Sequence, residues 1–382
     1  MPIAAIFLFV GAAIVAYILI LYPLMLAAWP YKSRPPVQKN FEHRPSVSIV
    51  MAVYNGAEFI RNKLESILDL EYPKELIQIL VVSDGSTDET ESIVREFLGR
   101  GVELLVLPHG GKANALNSAF ELATGEILFF TDVRQALDRN ALQHLAANFA
   151  DSSVGAVSGE MHLVEGRAGE QADMDLYWRY EVWVRKQHSR IDSIFATTGC
   201  IYAMRRSLAS AIPADTLSDD AVLPLRAFFE GYRVVFDPEA IALDHPARAG
   251  TEFRRRSRNL AGLWQVFMRM PQLFTSRNRM RLQFLSHKFS RLVLPWAILL
   301  VIGATIALPA SSFRFWMLVN EGALMSLALI DAIIPHWLPI KRITSPARTF
   351  LSMNAASIAA LAVFFVSPRR MWAPTRVERT TS

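Results

Sequence analysis

Residues 47–84 contain the two apolar runs that decide the fold, Val47-Ser-Ile-Val-Met-Ala-Val53 and Ile77-Gln-Ile-Leu-Val-Val82. Both runs are short and rich in β-branched residues, as is typical of buried strands. Between them, Ala57–Leu70 has apolar residues at helical spacing and ends before Tyr72-Pro73. A strand, a helix and a second strand in this order predict two parallel strands joined by a crossover helix.

The same alternation continues down the chain. Further strands are predicted at Glu103–Leu107 and Glu126–Phe130, and a further helix over Lys112–Ala123. The helix that follows the second strand is expected to be capped by Ser86 or Thr87, because a hydroxyl oxygen at this position can accept backbone N–H groups.

This pattern extends from Pro45 to about Pro238. It predicts an α/β domain with a mostly parallel sheet and helices on both faces. Ligands of such sheets bind at the carboxyl ends of the strands. Asp84 and Asp132 each come just after a predicted strand, so both side chains are expected at that edge.

The composition narrows the class of protein further. The 382 residues are 52% hydrophobic and 20% charged, with a net charge of +5, which excludes a disordered chain. A single cysteine, Cys200, excludes a disulfide framework and a cysteine-based zinc site. Cys200 is expected to be a small buried residue rather than a nucleophile.

Apolar residues are concentrated at the two ends of the chain. Ile3–Trp29 carries no charge and is long enough to cross a bilayer as a helix. It lacks the basic start and the cleavage site of a signal peptide, so a retained anchor is predicted. Three further candidate spans lie near the C-terminus: Leu292–Phe313, Phe315–Leu338 and Thr349–Pro368.

Basic residues beside the candidate spans predict their orientation, since such residues are enriched on the cytoplasmic side. They follow the first and third spans and precede the second, which places the N-terminus outside and the middle of the chain in the cytoplasm. A fourth crossing would put Arg369 and Arg370 outside, so Thr349–Pro368 either crosses or is re-entrant or interfacial. The residues behind the orientation are Lys32, Arg34, Lys39, Arg277, Arg279, Arg281, Lys288, Arg291, Lys341, Arg342 and Arg348.

Two acids, Glu321 and Asp331, lie within the third candidate span. They are interpreted as residues near the ends of a short helix that contact water, rather than as intramembrane functional groups. The predicted organisation of the chain is an anchor (1–31), an α/β domain (45–250), basic amphipathic interface helices (251–291), membrane segments (292–368) and a tail (369–382).

Six short motifs occur in a fixed order along the chain. With their spacing, they make the chain resemble the membrane-integrated family 2 glycosyltransferases with a GT-A fold, the group of bacterial cellulose, hyaluronan and poly-N-acetylglucosamine synthases. The resemblance covers nearly the whole chain. The motifs are Ser48–Asn55, Val82–Asp88, Gly111–Asn117, Phe130–Arg134, Ser218–Asp220 and Arg254–Arg258.

The resemblance implies a binding site for a nucleotide-sugar. Ala52, Tyr54 and Asp84 would line the pocket for the base and ribose, and Lys112 would approach the donor. A carboxylate at the end of a strand can accept hydrogen bonds from a uracil imide or from ribose hydroxyls. The alternative for Asp84 is an Asx-type turn with the Gly85-Ser86 that follows.

Asp132 aligns with the first acid of the family's Asp-x-Asp metal motif. A divalent cation, Mg²⁺ or Mn²⁺, would be held there to neutralise the diphosphate leaving group. The second acid of the motif is replaced by Arg134. This leaves one protein carboxylate for the metal, and Arg134 could supply positive charge itself.

Ser218-Asp219-Asp220 matches the family's Thr-Glu-Asp, which makes Asp220 the general base for the acceptor hydroxyl. An inverting transfer needs one carboxylate to take that proton. The alternative is that Asp219 and Asp220 only begin a helix, where acids interact favourably with the helix dipole.

The basic cluster at residues 254–258 aligns with the family's Gln-Arg-x-Arg-Trp, with Arg256 and Arg258 at its arginine positions. Guanidinium groups suit a diphosphate, although the cluster could also attract anionic lipids. The Trp of the motif is replaced by Asn259. In polymerising members an aromatic residue stacks there on the acceptor sugar, so a long-chain polymerase is less favoured.

Together these motifs imply an inverting, membrane-anchored glycosyltransferase that faces the cytoplasm from a bacterial inner membrane. The expected donor is a UDP-sugar, and the expected acceptor is a lipid-linked or growing glycan. The bilayer is a partner, polysaccharide-export proteins are candidate partners, and no nucleic acid is expected. The alternatives are a processive synthase that extrudes its polymer and a non-catalytic scaffold or transporter, although transporters usually show internal repeats and more spans.

Overall fold

The computed structural model describes residues 2–30, 34–163, 171–244, 249–335, 338 and 340–367, with the side chains of all of these except 171–177, 249–252 and 332. The tail 369–382, Lys32, Arg369 and Arg370 lie outside the described residues. The strands are β1 (Val47–Val53), β2 (Ile77–Asp84), β3 (Val102–Leu107), β4 (Ile127–Phe130), β5 (Ala136–Leu137), β6 (Val154–Leu163), β7 (Tyr202–Arg205) and β8 (Arg233–Asp244).

In the described part of the chain these strands form one eight-stranded sheet in the order β3-β2-β1-β4-β7-β6-β8-β5. The pairs β3–β2, β2–β1 and β1–β4 are parallel, as predicted. The second half of the sheet is mixed, because β7 runs antiparallel to both β4 and β6. The prediction of a mostly parallel sheet is therefore correct for the first four strands in this order, whereas among the rest β6–β8 is parallel and β5–β8 is antiparallel.

The reversed direction of β7 has a consequence for the site. Tyr202, the first residue of β7, pairs with Phe130, the last residue of β4. The chain therefore enters β7 from the edge at which β4 ends. The turn before β7, with its bridge between Thr198 and Ile201, is placed at the ligand-binding edge of the sheet.

The helices are α1 (Ile3–Ala16), α2 (Tyr22–Ala27), α3 (Ala57–Leu68), α4 (Thr90–Arg95), α5 (Lys112–Leu122), α6 (Ala141–Ala147), α7 (Gln171–Ile191), α8 (Asp219–Phe229), α9 (Ala249–Arg269), α10 (Arg281–Gln283), α11 (Ser290–Ala307), α12 (Ser312–Ile330) and α13 (Lys341–Ala359). The predicted capping of α4 by Ser86 or Thr87 is wrong. The helix begins at Thr90, whose N–H donates to Asp88 Oδ1 at 3.0 Å, while Ser86 Oγ accepts from the Asn55 N–H at 3.1 Å.

Alternate residues of the central strands pack on opposite faces of the sheet, as the period of a strand requires. Val50 and Leu80 belong to a core shared with α5 and α8. Ile49 and Met51 belong to the core on the other face, shared with α3 and α6. Both faces of β1 and β2 are thus buried, which explains their nearly continuous apolar sequence.

Four helical segments in the described residues are long and apolar enough to cross a membrane: 3–27, 281–307, 312–330 and 341–364. In the first two, π-helical turns (Tyr17–Leu21 and Phe284–Phe289) join α1 to α2 and α10 to α11. The second segment begins earlier than predicted, and the third ends earlier. The fourth begins eight residues before the predicted Thr349.

The interpretation of Glu321 and Asp331 as water-contacting residues near helix ends is wrong for the position of Glu321 and for the water contact of Asp331, which does lie at a helix end. Glu321 lies in the middle of α12, and its Oε1 accepts a hydrogen bond from Thr305 Oγ1 at 2.8 Å. Asp331 follows α12 directly and is buried. Its carboxylate pairs with Lys341 Nζ at 3.0 Å and accepts from Thr344 Oγ1 at 2.7 Å, which ties α12 to α13.

Polar contacts also join α7 to the apolar segments. Tyr22 OH lies 2.7 Å from His188 Nε2. Glu181 pairs with Arg291 and lies 3.1 Å from His287 Nε2. Because all these groups except Arg291 are buried, the contacts fix the position of the α/β domain relative to these helices.

Candidate active site

The predicted site residues converge at the carboxyl edge of β1, β2 and β4. Asp84 is the last residue of β2, and Asp132 follows β4 by two residues. Since β2 and β4 both pair with β1 in parallel, their carboxyl ends share one edge of the sheet. This is the edge at which α/β sheets bind ligands.

Lys112 lies at the centre of the cluster. It is the first residue of α5 and follows Gly111, whose φ of 95° favours glycine. Its Nζ lies 3.0 Å from Asp132 Oδ1 and 3.3 Å from Asp219 Oδ1. Burial alone would lower the pKa of Lys112, but the charges of Asp132 and Asp219 outweigh burial and raise it. Lys112 is therefore an ammonium at neutral pH.

Asp219 and Asp220 form the first turn of α8, so their predicted placement at a helix start is confirmed. The same turn places Asp219 beside Lys112, and the general-base role of Asp220 stays a prediction. Asp219 Oδ2 accepts from Tyr202 OH at 3.3 Å. Burial raises the pKa of Asp220 to about 7, with the charges of Asp219 and Asp132 adding to the rise and Lys112 opposing it.

The turn before β7 contacts Asp220 closely. Thr197 donates from its N–H and its hydroxyl to the Asp220 carbonyl oxygen, at 2.9 and 2.8 Å. A Cβ at Gly199 would lie 3.4 Å from Asp220 Oδ2, so a larger residue there would crowd the carboxylate. From α7, Arg185 donates to Thr198 Oγ1 at 2.5 Å and interacts electrostatically with Asp220. Arg185 was not among the residues predicted from the sequence.

Arg258 approaches the same carboxylates from α9. Burial lowers the pKa of its guanidinium, and the charges of Asp132 and Asp220 oppose this shift. Arg258 is thus in electrostatic range of Asp132 and Asp220, although the three residues come from separate parts of the chain. Arg256 is half-buried on the same helix. A separation of two residues rotates Arg256 by about 200° from Arg258, so its role stays a prediction.

Asp84 organises the turn that precedes Lys112. Its Oδ1 accepts from the Gly110 N–H at 2.7 Å, and its Oδ2 accepts from the Gly111 N–H at 2.9 Å. The alternative of an Asx-type turn is wrong, since the Ser86 N–H donates to Ser83 Oγ at 3.3 Å instead.

The other two residues predicted for the base and ribose lie beside Asp84. Ala52 is half-buried in β1, and Tyr54 is 47% exposed just after it. The Tyr54 ring lies against the His109 ring, with 4.4 Å between centroids. His109 was missed from the sequence, although its position directly before Gly110-Gly111-Lys112 is a signal that could have identified it.

Arg134 does not supply the positive charge that the altered metal motif allowed. Its guanidinium pairs with Asp244 Oδ2 at 2.6 Å, and Gln135 donates to the same oxygen at 3.0 Å. Both residues therefore anchor the turn after β4 to the end of β8. This anchoring holds the backbone on one side of Asp132.

A buried lysine that was not predicted from the sequence contacts the residues on either side of Asp132. Lys63 on α3 is 1% exposed. Its Nζ donates to Thr131 Oγ1 at 2.6 Å and to the Gln135 carbonyl at 2.5 Å, on either side of Asp132. Burial lowers the pKa of Lys63 to about 7. In the sequence, nothing distinguishes a buried lysine in an amphipathic helix from an exposed one.

Cys200 is buried, as expected, and burial raises the pKa of its thiol to about 12. Thiolate is the reactive form of cysteine. Cys200 is thus protonated at neutral pH and unsuited to act as a nucleophile.

The donor set around Asp132 fits a divalent cation. The Asp132 side chain is 40% exposed, and Mg²⁺ is commonly held by one or two carboxylates together with substrate phosphates. Asp132, Asp219 and Asp220 concentrate negative charge here, and Lys112 Nζ lies 3.0 Å from Asp132 Oδ1. Within the described residues, the group whose ligand atoms lie within 4.8 Å of one another is instead His144, Asp237 and Glu239. There, Lys39 Nζ already lies 2.9 Å from Asp237 Oδ2.

Two family models match the chain. Glycosyl transferase family 2 matches residues 48–212, and Glycosyl transferase family group 2 matches residues 134–331. The second match covers just over half of the 382 residues. Together the two matches include every predicted site residue.

The chain is similar to curated glycosyltransferases of several kinds. It is 26% identical over 266 residues to the probable glycosyltransferase YdaM of Bacillus subtilis, with 65% of this chain and 63% of that protein covered. It is 24% identical over 260 residues to poly-beta-1,6-N-acetyl-D-glucosamine synthase of Staphylococcus epidermidis, with 65% of this chain and 62% of that protein covered. It is 26% identical over 251 residues to beta-monoglucosyldiacylglycerol synthase of Nostoc sp., with 62% of this chain and 52% of that protein covered. The similarity thus spans less than two thirds of each relative's length.

The fold is also that of a solved glycosyltransferase. The mannosyltransferase PcManGT of Pyrobaculum calidifontis, solved in complex with GDP-Man and Mn²⁺, superposes with a TM-score of 0.76. The superposition covers 94% of this chain and 99% of that protein, at 24% identity. The predicted GT-A fold is therefore confirmed. The chain is an enzyme rather than a non-catalytic scaffold or transporter, and it belongs to glycosyltransferase family 2.

Proposed function

We propose that this enzyme transfers a sugar from a nucleotide-sugar to an acceptor hydroxyl with inversion at the anomeric carbon. The observation that supports this best is the cluster of Asp132, Asp219 and Asp220 around Lys112, with Arg258 in the electrostatic field of two of these acids. The cluster provides a base and cationic groups on the same edge of the sheet. An inverting displacement on a sugar diphosphate needs both.

Asp220 is the general base. A carboxyl group with a pKa of about 7 combines a usable ionised fraction at neutral pH with a high affinity for the proton. The acceptor hydroxyl gives its proton to the Asp220 carboxylate while its oxygen forms a bond to the anomeric carbon. The bond from that carbon to the diphosphate oxygen breaks, and the nucleoside diphosphate leaves with the electron pair.

Lys112 and Arg258 stabilise the departing diphosphate, Lys112 as a point charge and Arg258 through its guanidinium fork. Asp132 would hold Mg²⁺ or Mn²⁺, which when bound neutralises further charge on the phosphates. Ala52, Tyr54 and the turn held by Asp84 form the nucleoside side of the pocket. Arg256 is assigned to the same anionic region.

The donor is a UDP-sugar, and the acceptor is a lipid-linked or growing glycan. Relatives that make a polysaccharide and a glycolipid support these two acceptor classes. The missing aromatic residue at Asn259 favours limited transfer over processive synthesis. Trp264 does not replace it, because its ring packs against Phe267 and Phe364.

The enzyme is placed in a bacterial inner membrane with its catalytic domain in the cytoplasm. Four apolar helical segments in the described residues support membrane integration. The basic residues beside them support the orientation. In this arrangement α9 lies along the cytoplasmic face of the bilayer, and export proteins for a polysaccharide product are candidate partners.

The test uses the purified full-length protein with a panel of nucleotide-sugars and acceptors. Release of nucleoside diphosphate identifies the donor, and product length distinguishes one addition from a ladder. Asp220→Asn is expected to lower transfer by about 10²- to 10⁴-fold, whereas Asp215→Asn, which removes an exposed acid of the same segment, should leave it unchanged. Unchanged transfer in Asp220→Asn would refute the base assignment.

A further inference from the structure

The Asp84 carboxylate is fully engaged within the protein. Both of its oxygens accept backbone N–H groups from Gly110 and Gly111. Its Oδ2 also lies 3.0 Å from His109 Nδ1, and its side chain is 6% exposed. A nucleobase that approaches this edge would therefore meet a carboxylate that already has its hydrogen-bond partners.

His109 is an exposed polar side chain beside Asp84. Its side chain is 60% exposed. The backbone beneath it is tightly fixed, because a Cβ at Gly85 would lie 2.6 Å from the His109 nitrogen, and Gly85 has a φ of +68°. The Tyr54 ring, 4.4 Å away, limits rotation of the imidazole. The ring is thus contacted by two other segments of the chain, the end of β2 at Asp84 and the residue after β1, Tyr54.

This orientation determines which ring nitrogen carries the proton. His109 Nδ1 lies 3.0 Å from the Asp84 carbonyl oxygen and 3.0 Å from Asp84 Oδ2. Both oxygens can only accept hydrogen bonds, so Nδ1 must be the donor. In a neutral imidazole the other nitrogen is then an acceptor. In that form Nε2, on the opposite side of the ring from Asp84, presents a lone pair.

We propose that His109 Nε2 reads the edge of the donor nucleobase and selects bases that present a ring N–H. Uracil presents N3–H and guanine presents N1–H, whereas cytosine N3 and adenine N1 present lone pairs. When a base places a lone pair opposite Nε2, two hydrogen-bond acceptors face each other without a donor between them, and this disfavours binding of that base. Tyr54 supplies the stacking face beside it. This proposal rests on the proposed function, in which this edge binds a nucleotide-sugar.

The experiment measures binding of UDP, GDP, CDP and ADP to the full-length protein by titration calorimetry, with thermal unfolding as a check on folding. The wild-type protein is expected to bind UDP or GDP at least about tenfold more tightly than CDP and ADP. Comparison of UDP with GDP then shows which of the two ring N–H bases is preferred. Preference for CDP or ADP would overturn the proposal.

His109→Ala and His109→Phe should reduce the preference to about twofold or less, mainly by weakening the favoured diphosphate. His162→Ala, which removes another exposed histidine, should retain the wild-type preference. The ratio of two affinities does not depend on the fraction of active protein, so partial unfolding cannot imitate the result. A preference that survives both His109 substitutions would refute the role of His109 and leave the proposed function intact. Failure of the wild-type protein to bind any diphosphate would refute the proposed function as well.

Discussion

Lys112 Nζ lies 3.0 Å from Asp132 Oδ1, although the two residues belong to different βα units and are separated by 20 positions in the sequence. The same ammonium lies 3.3 Å from Asp219. One cation thus joins the proposed metal ligand to the turn that carries the proposed base. The charges of Asp132 and Asp219 raise the pKa of Lys112 against the effect of burial, and Asp219 and Lys112 shift the pKa of Asp220 in opposite directions.

Lys112→Met should lower kcat/KM by about 10²- to 10³-fold, because one preorganised positive charge at the leaving group is lost. Lys112 also opposes the rise in the pKa of Asp220. Without it, that pKa should rise further above 7, so the acidic limb of the pH–rate profile should move to higher pH. Lys112→Arg, which retains the charge, should recover the position of the limb. A limb that does not move in Lys112→Met would contradict the coupling.

Asp219→Asn should shift the same profile in the opposite direction. The charge of Asp219 raises the pKa of Asp220. Its removal should lower that pKa, so the proposed base should stay ionised to lower pH and the acidic limb should move down. The measurement is kcat/KM between pH 5 and pH 9, with Asp215→Asn as the matched control. Shifts of the same sign in Lys112→Met and Asp219→Asn would show that Asp220 does not control this limb.

The strands that place Asp84 and Asp132 could be predicted because each is a short, buried apolar run with a clear end. The direction of β7 could not be predicted, because it depends on the edge from which the chain returns to the sheet. For the same reason Arg185 was not assigned to the site. Its proximity to Asp220 arises only when α7, β7 and α8 pack together.

Lys63 illustrates a second limit of sequence reasoning. Its helix has an ordinary amphipathic pattern, and only tertiary packing shows that its ammonium lies between Thr131 and Gln135. His109 illustrates the opposite case, because its sequence position was informative but its tautomer depends on Asp84. The sequence therefore located the acids of the site better than the groups that orient them.

Lys63→Met should change how stability depends on pH. The pKa of Lys63 is about 7 in the folded protein, against an ordinary value of 10.5. Between these values the unfolded chain binds more protons than the folded one, so wild-type stability should rise as the pH increases from about 7 to 10.5 and should be constant below about 7, where both states hold the proton. Thermal unfolding between pH 6.5 and 9.5 should show this slope in the wild type and in Lys74→Met, but not in Lys63→Met.

The same substitution should also weaken the proposed metal site, because Lys63 donates to the Thr131 hydroxyl and to the Gln135 carbonyl, on either side of Asp132. The concentration of Mg²⁺ or Mn²⁺ needed for half-maximal activity should increase severalfold in Lys63→Met. Lys63→Arg, which can donate to both partners, should have a smaller effect. An unchanged metal requirement in a correctly folded Lys63→Met protein would limit Lys63 to a packing role.

Cysteine labelling in intact spheroplasts can test the proposed orientation. Cys200 should not react, because it is buried and its pKa is raised to about 12. Gly99→Cys adds a thiol in open space on the α/β domain, and Ala310→Cys adds one in the exposed link between α11 and α12. A membrane-impermeant maleimide should label Ala310→Cys in intact spheroplasts and Gly99→Cys only after lysis. Labelling of both before lysis would exclude a cytoplasmic catalytic domain.

Phe365→Cys extends this test to the fourth apolar segment. Phe365 is 88% exposed and directly follows residues 341–364. If that segment crosses the bilayer, the new thiol should react as fast as Ala310→Cys in intact spheroplasts. If the segment is re-entrant or interfacial, the thiol should be protected until lysis, like Gly99→Cys. Because a crossing puts Arg369 and Arg370 outside, against the usual placement of basic residues, we expect protection.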